Sequence, residues 1–460
     1  MPSLLLSFLP LLTLSLALLS LPAKPQPSGT TMPDEESETL FRIMNSMSSD
    51  QDWRSSYPNP CSPGSLSWPG VECKPGDDNY IHVSRLDFGT PPNPSCKTTA
   101  KFPDLIFSLP FLQSAFFFNC FTETRTTLSV PSAGLLSSSS LQQLSLRSNP
   151  ALIGIIPPLI SSLKSLQVLT LSQNKLNGSI PPGIFWLTSL VHLDLSYNLL
   201  VGMVPPQIGN LKSLIGLDVS YNSLSGTIPS AIGQLGQLQK LDLSSNLLVG
   251  PIPETVNQLG SLVFLALSNN GITGEFPSRI SKLQSLQYFI MENNPVNAPL
   301  PVELGSLARL QELRLSNSGY SGTIPRSFSQ LVKLSTLSLQ NNRLTGEIPS
   351  GLGNLSQIFH LNLSRNSLSG VVPFNAGFLR RLGKNLDLSG NPGLCLNQTE
   401  SNGINLGVNL CKNDSLILPL QTSQSPSMIL PIMMASWLHQ ITTWLVIQYV
   451  IVVNLTYYLM

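Results

Sequence analysis

From Leu144 to Asn391 the apolar and polar positions of the chain repeat one phrase, whose cleanest copy is LDLSYNLLVGMVP at Leu193 to Pro205. Leu190, Leu193 and Leu195 are set to point into a core while His192, Asp194 and Ser196 alternate to the other side, which predicts a short strand buried on one face. After the strand comes an asparagine, then a segment of the form LxGxIP such as Leu224 to Pro229, where the glycine allows a tight bend and the proline fixes the backbone that follows. Apolar residues then recur every third position, as in Ile232, Leu235 and Leu238, which predicts a 3₁₀-like segment on the far side of the turn.

The asparagine falls at Asn149, Asn174, Asn198, Asn222, Asn246, Asn270, Asn294, Asn342, Asn366 and Asn391, mostly 24 residues apart, and Ser318 stands where one more is due. The pattern LxxLxLxxNxLxGxIP is identified as a leucine-rich repeat of the plant-specific 24-residue class. Two degraded copies, VSRLDF and FLQSAFFFNC with Cys120 at the asparagine position, bring the count to about thirteen turns. The expected fold is an α/β solenoid, a right-handed superhelix whose strands stack into one parallel sheet. The asparagine amides should bond backbone groups of neighbouring turns as a structural ladder. Ser318 is shorter and should weaken its rung.

The flanks supply ends for this array. Residues 1–23 read as a signal peptide, and 24–80 as an N-terminal cap containing a short amphipathic helix led by acidic residues, followed by DWRSSYPNPC and SWPGVEC. The repeats occupy 81–392 and a C-terminal cap 393–412. Six cysteines, which allow fifteen pairings, all lie outside the regular repeats; sequence proximity favours Cys61–Cys73, Cys96–Cys120 and Cys395–Cys411 as disulfide clips. A Ser/Pro/Gln-rich linker follows at 413–430. The hydrophobic tail 431–460 carries no charge and suits either a membrane-spanning helix or the signal for a glycolipid anchor. Sequons at Asn177, Asn354, Asn362, Asn397 and Asn413 are candidate glycosylation sites.

LxGxIP repeats behind a DW…C…WPGVEC cap resemble the plant leucine-rich-repeat receptors, and the chain has no kinase segment, like the receptor-like proteins. The pair Cys96 and Cys120 before the first clean repeat is similar to the branch containing Too Many Mouths and the Piriformospora indica-insensitive proteins. The resemblance implies a cell-surface sensor that binds a peptide or protein on its concave sheet and signals through a partner receptor kinase. The alternative is a secreted protein resembling polygalacturonase inhibitors, for which the hydrophobic tail would be useless.

Charge and chemistry narrow the reading further. A net charge of +1 with 11% charged residues offers no basic field for nucleic acid. The four histidines, His82, His192, His360 and His439, do not gather with other titrating groups, so neither catalysis nor a metal or other cofactor is expected. Asp194, Asp218 and Asp242, with Asp387 later, form an acidic ladder that reads as a solvated structural face. The candidate ligand-binding residues are Phe264, Tyr288, Glu292, Glu312 and Arg314 at outward positions of consecutive turns, with Tyr197 and Tyr221 toward strand ends. The irregular turns from Tyr288 to Ser318, where Ala298 replaces the glycine, are the expected place for recognition.

Overall fold

Each repeat opens with the short strand that the alternation predicts, and successive strands lie side by side because each exposes a row of leucines that only its neighbours can cover. The fold is that of a computed structural model, which describes residues 31–61, 68–131, 139–397 and 406–411. All of these belong to one compact unit, Met1–Cys411. The expected signal peptide, linker and hydrophobic tail lie outside the described residues, among which no helix is long and apolar enough to cross a membrane.

The long sheet has fourteen strands. Val71–Pro75 pairs antiparallel with Ile81–Phe88 at one edge, and every later neighbour, through to Leu386–Asp387, runs parallel. Fourteen less the antiparallel strand leaves the thirteen turns expected. Register is kept in step, Leu193 pairing with Leu217 and Leu217 with Leu241, each 1% exposed. One turn also buries Leu190, Leu195, Leu200, Val204, Ile208 and Leu211. At roughly 1.5–3 kcal/mol for a fully buried aliphatic side chain, this stack is the main source of stability.

The asparagines join turn to turn. Asn222 donates from Nδ2 to Leu195 O of the preceding turn (3.0 Å) and to Val219 O of its own (3.1 Å), while its Oδ1 accepts from Leu200 N (3.0 Å). Asn198, Asn246, Asn270 and Asn366 repeat the arrangement. The amide is suited to this because it offers two donors and an acceptor from one short side chain.

The LxGxIP segments do more than bend the chain: they form a second parallel sheet that the sequence did not reveal. Leu199–Met203 pairs with Lys175–Ser179 on one side and Ser223–Gly226 on the other. This sheet is interrupted. Seven strands run from Thr126–Thr127 to Gly271–Ile272, five run from Ser321–Thr323 to Asn409–Leu410, and the turn between contributes only the bridge Pro299 to Ser321.

Ser318 accounts for the interruption. Its hydroxyl donates to Ser316 O (2.8 Å), lies 3.2 Å from Met291 O and accepts from Asn294 N (3.3 Å). With one proton and a short reach it leaves Val296 N, whose counterparts bond the next turn's amide, to donate to Asn294 O instead (2.9 Å).

Opposite the long sheet, 3₁₀ segments such as Pro206–Asn210 bury Ile208 and end on Leu211, as the spacing of three predicts. The last turn departs from the expected 3₁₀ form. Ala376–Leu382 is α-helical, started by Asn375 Oδ1 accepting from Phe378 N (2.9 Å), and Arg381 covers the carbonyls of Leu355, Ser356 and Ile358 at 2.6–2.9 Å.

The first turn is closed by the helix Asp34–Met47, which buries Leu40, Phe41, Ile43, Met44 and Met47, and by Trp53 and Trp68 packed against Phe41 and Tyr57. A polar chain that sequence reasoning missed, buried at Glu36 and His82, locks this helix to the sheet. Glu36 meets His82 Nδ1 (2.6 Å) and accepts from Val83 N (2.8 Å), and His82 Nε2 meets Asp78 (3.0 Å). Burial alone would lower the His82 pKa, but the hydrogen bonds to Asp78 and Glu36 outweigh it and raise it. The disulfides Cys61–Cys73, Cys96–Cys120 and Cys395–Cys411 form as paired from the sequence, holding the cap, its junction with the repeats and the last turn.

The ladder predicts its own sensitivity. Asn246→Ala leaves Val219 O, Leu243 O and Leu224 N without their partner and should cost on the order of 3 kcal/mol, read as a lower midpoint in urea unfolding.

Candidate ligand-binding face

Parallel register sorts the outward residues of the long sheet into two ladders flanking the buried leucines. One runs His192, Gly216, Lys240, Phe264, Tyr288, Glu312, Thr336, His360, and the other runs Asp194, Asp218, Asp242, Ala266, Ile290, Arg314, Ser338, Asn362. Neighbours in a ladder are one strand spacing apart, about 4.8 Å. His192 and His360 are thus seven turns apart and do not act together.

The acidic ladder is not the solvated face that the sequence suggested. Asp218 and Asp242 are each 6% exposed. Each carboxylate turns back to accept from the backbone N–H two residues on, as Asp218 does from Ser220 N (3.1 Å) and Asp242 from Ser244 N (3.0 Å). Lys240 lies across them and bonds Asp218 at 2.8 Å. Gly216 leaves room for the His192 ring, which crosses it so closely that an added Cβ would stand 2.6 Å from Nδ1.

Electrostatics follow from this packing. Burial, then the charge of Asp218, raises Asp242 to about 7, with Lys240 opposing. Asp194 is raised for the same first two reasons. Burial depresses Lys240, but the surrounding carboxylates, Asp218 foremost, raise it on balance and keep it charged. His192 is lowered by burial and then by Lys240, so it stays neutral.

The candidate residues share the face but not one exposed patch. Phe264 is 8% exposed, covered by the Lys240 ammonium at 5.9 Å from its ring and by Tyr288 at 6.2 Å, because side chains on adjacent strands shield one another. Tyr288 is half-buried, with its hydroxyl 3.3 Å from Gln311. Glu312 and Arg314 pair with each other, and Glu292 accepts from Ser316 Oγ. Tyr197 and Tyr221 stack at 4.0 Å on consecutive turns, both at left-handed positions (φ 53° and 51°) just before the ladder asparagine.

Of the sequons, Asn177, Asn354 and Asn397 are exposed, and Asn413 lies outside the described residues. Asn362 is half-buried on the sheet face, with its Oδ1 held by Ser364 N and Oγ (3.0 and 2.7 Å). At the irregular turns a groove of about 660 Å³ opens where the chain leaves the strands. Among the described residues no group of three or more His, Cys, Asp or Glu is placed to hold a metal ion.

The buried acids give a pH signature. The ordinary Asp value of 3.8 is raised to about 7 at Asp242, so the fold favours the protonated form. This contribution is full below 3.8 and is lost as pH rises through about 7. Asp242→Asn should therefore unfold with a flatter dependence on pH between these values than the parent, read as denaturant midpoints across that range.

The repeats match the family described as Leucine rich repeat over residues 139–200, 188–248 and 308–368, with a further Leucine Rich Repeat at 261–283. Receptor like protein 29 of Arabidopsis thaliana is 69% identical over 143 residues, 31% of this chain and 30% of that protein. Protein TOO MANY MOUTHS, also from Arabidopsis thaliana, is 36% identical over 143 residues, 30% of this chain and 27% of its own length. These matches thus span less than a third of either relative. The ectodomain of the Arabidopsis receptor kinase HAESA, solved with an extended IDA peptide hormone, superposes with a TM-score of 0.65 at 30% identity, covering 78% of this chain and 58% of that one. The chain is built of leucine-rich repeats, and its relatives in sequence include plant receptor-like proteins.

Proposed function

We propose that this chain is the sensing part of a cell-surface receptor-like protein, which binds a peptide or protein segment along the long sheet and signals through a partner receptor kinase. The observation that carries the reading is the pair of outward ladders, where regular leucines hold a frame and the residues between them change from acidic, at Asp194 to Asp242, to aromatic and then charged, at Phe264 to Arg314. An extended chain laid across parallel strands meets one such position per turn, so specificity can be set turn by turn without altering the core. The HAESA ectodomain, of similar fold, was solved with a peptide hormone, which supports a peptide as the ligand. The uncharged tail 431–460 supports attachment at the outer face of the cell membrane. No catalytic step is assigned to the chain; its work is recognition.

The test is capture of the intact protein from plant membranes with its bound partners, followed by binding measurements on Tyr288→Ala and Arg314→Ala. A receptor kinase should co-purify, and each substitution should weaken ligand binding on the order of thirtyfold while the unfolding midpoint stays near the parent's. Co-purification of a wall hydrolase in place of a kinase, or unchanged affinity in both variants, would overturn the reading.

A further inference from the structure

The groove at the irregular turns lies apart from the two ladders of the long sheet. It opens beside the interruption of the second sheet, where the chain turns away after the strands Tyr288–Ile290, Glu312–Arg314 and Thr336–Ser338. Two substitutions in the repeat pattern create it. Ser318 in place of asparagine releases Val296 N from the ladder, and Ala298 in place of glycine removes the residue that carries a positive φ in neighbouring turns, such as Gly274 (φ 83°) and Gly322 (φ 73°). The positive φ moves one residue earlier, to Asn297 (φ 52°). Its side chain then lies over Gly319, where an added Cβ would stand 2.4 Å from Asn297 Oδ1.

The lining has a definite chemistry. Asn293, Asn317 and Asn341 occupy the same left-handed position on three consecutive turns (φ 58°, 54° and 55°), about 4.8 Å apart. All three are exposed. Asn293 donates to Asn269 (2.7 Å), whereas the side-chain amides of Asn317 and Asn341 have no partner among the described residues. Arg343 is exposed at the same end, without an ion pair among the described residues. No carboxylate lines the groove, and its apolar contribution is the ring of Pro295.

This lining selects its ligand by exclusion and by fit. A cation finds no counter-charge there, and an apolar peptide anchor finds no apolar pocket to fill. A side-chain amide presents a donor and an acceptor together, which suits adjacent hydroxyl groups. Repeated along three turns, such amides suit a ligand whose hydroxyls also repeat, and the planar fork of Arg343 suits a carboxylate or sulfate. We propose that the groove bounded by Asn293, Asn297, Asn317, Asn341 and Arg343 is a binding site for an acidic oligosaccharide, a chain of sugars bearing carboxylate or sulfate groups. It lies beside the face proposed for a peptide or protein and is lined by different residues.

The test is calorimetric titration of the full chain with an oligogalacturonate, a sulfated dextran, a neutral cello-oligosaccharide and polyglutamate. One of the two acidic saccharides should bind, with the neutral sugar and polyglutamate at least tenfold weaker. Arg343→Gln should weaken that binding roughly tenfold or more, through loss of a charge-assisted hydrogen bond. The double variant Ser318→Asn with Ala298→Gly rebuilds a regular turn; it should unfold at or above the parent's midpoint and yet lose saccharide binding. If that variant fails to fold, Asn317→Ala with Asn341→Ala, which touches only exposed side chains, serves the same purpose. The proposal fails if neither acidic saccharide binds, if polyglutamate binds equally well, or if the folded variants bind as the parent does.

Discussion

The constraint on which the rest of the structure depends is that the backbone groups between turns must be satisfied in an interior that water does not reach. Each turn leaves carbonyl and amide groups next to the core just where the chain leaves its strand, and an unpaired group there costs about 1–3 kcal/mol. One asparagine per turn meets this demand from both sides, as Asn222 does with Leu195 O, Val219 O and Leu200 N. Leucine burial supplies the larger free energy but would tolerate sliding of one turn over another. The amides require each turn to stand in a single register with the next, and that register aligns the outward residues into ladders.

The consequences of losing one amide are visible within the same molecule. Where Ser318 stands for asparagine, a hydroxyl supplies one donor, Val296 N finds its acceptor within its own turn, and the second sheet breaks. The long sheet continues without interruption through Tyr288, Glu312 and Thr336. The break is tolerated because apolar contacts on both sides persist: Val296, Ala298, Leu300 and Tyr320 remain buried. A local defect in polar pairing thus changes the surface while leaving the core intact, which is how a repeat array can gain a groove without losing its fold.

The ends obey the same logic with different means. An open first turn would present both unpaired backbone and exposed leucines. The antiparallel strand Val71–Pro75 pairs the backbone edge, the helix Asp34–Met47 and Trp53 cover the apolar end, and Glu36 with His82 ties the two together. At the other end the single side chain of Arg381 covers three carbonyls.

The sequence by itself determined the solenoid, its thirteen turns, the buried leucines and the asparagine ladder, because each is written as a residue type at a fixed interval and depends only on nearest neighbours; the proximity of the cysteines along the chain favoured the three disulfides that form. It also located the irregular turns, since Ser318 and Ala298 break that interval. What only the tertiary structure decided is how residues 24 apart share space once they lie about 4.8 Å from one another. Phe264, outward by its position, is covered by Lys240 and Tyr288. The aspartates, read as solvated, close over Lys240, and Asp242 moves to about 7. The second sheet and the Glu36–His82–Asp78 chain left no periodic trace in the sequence, because their partners are set by the winding of the chain rather than by any local pattern.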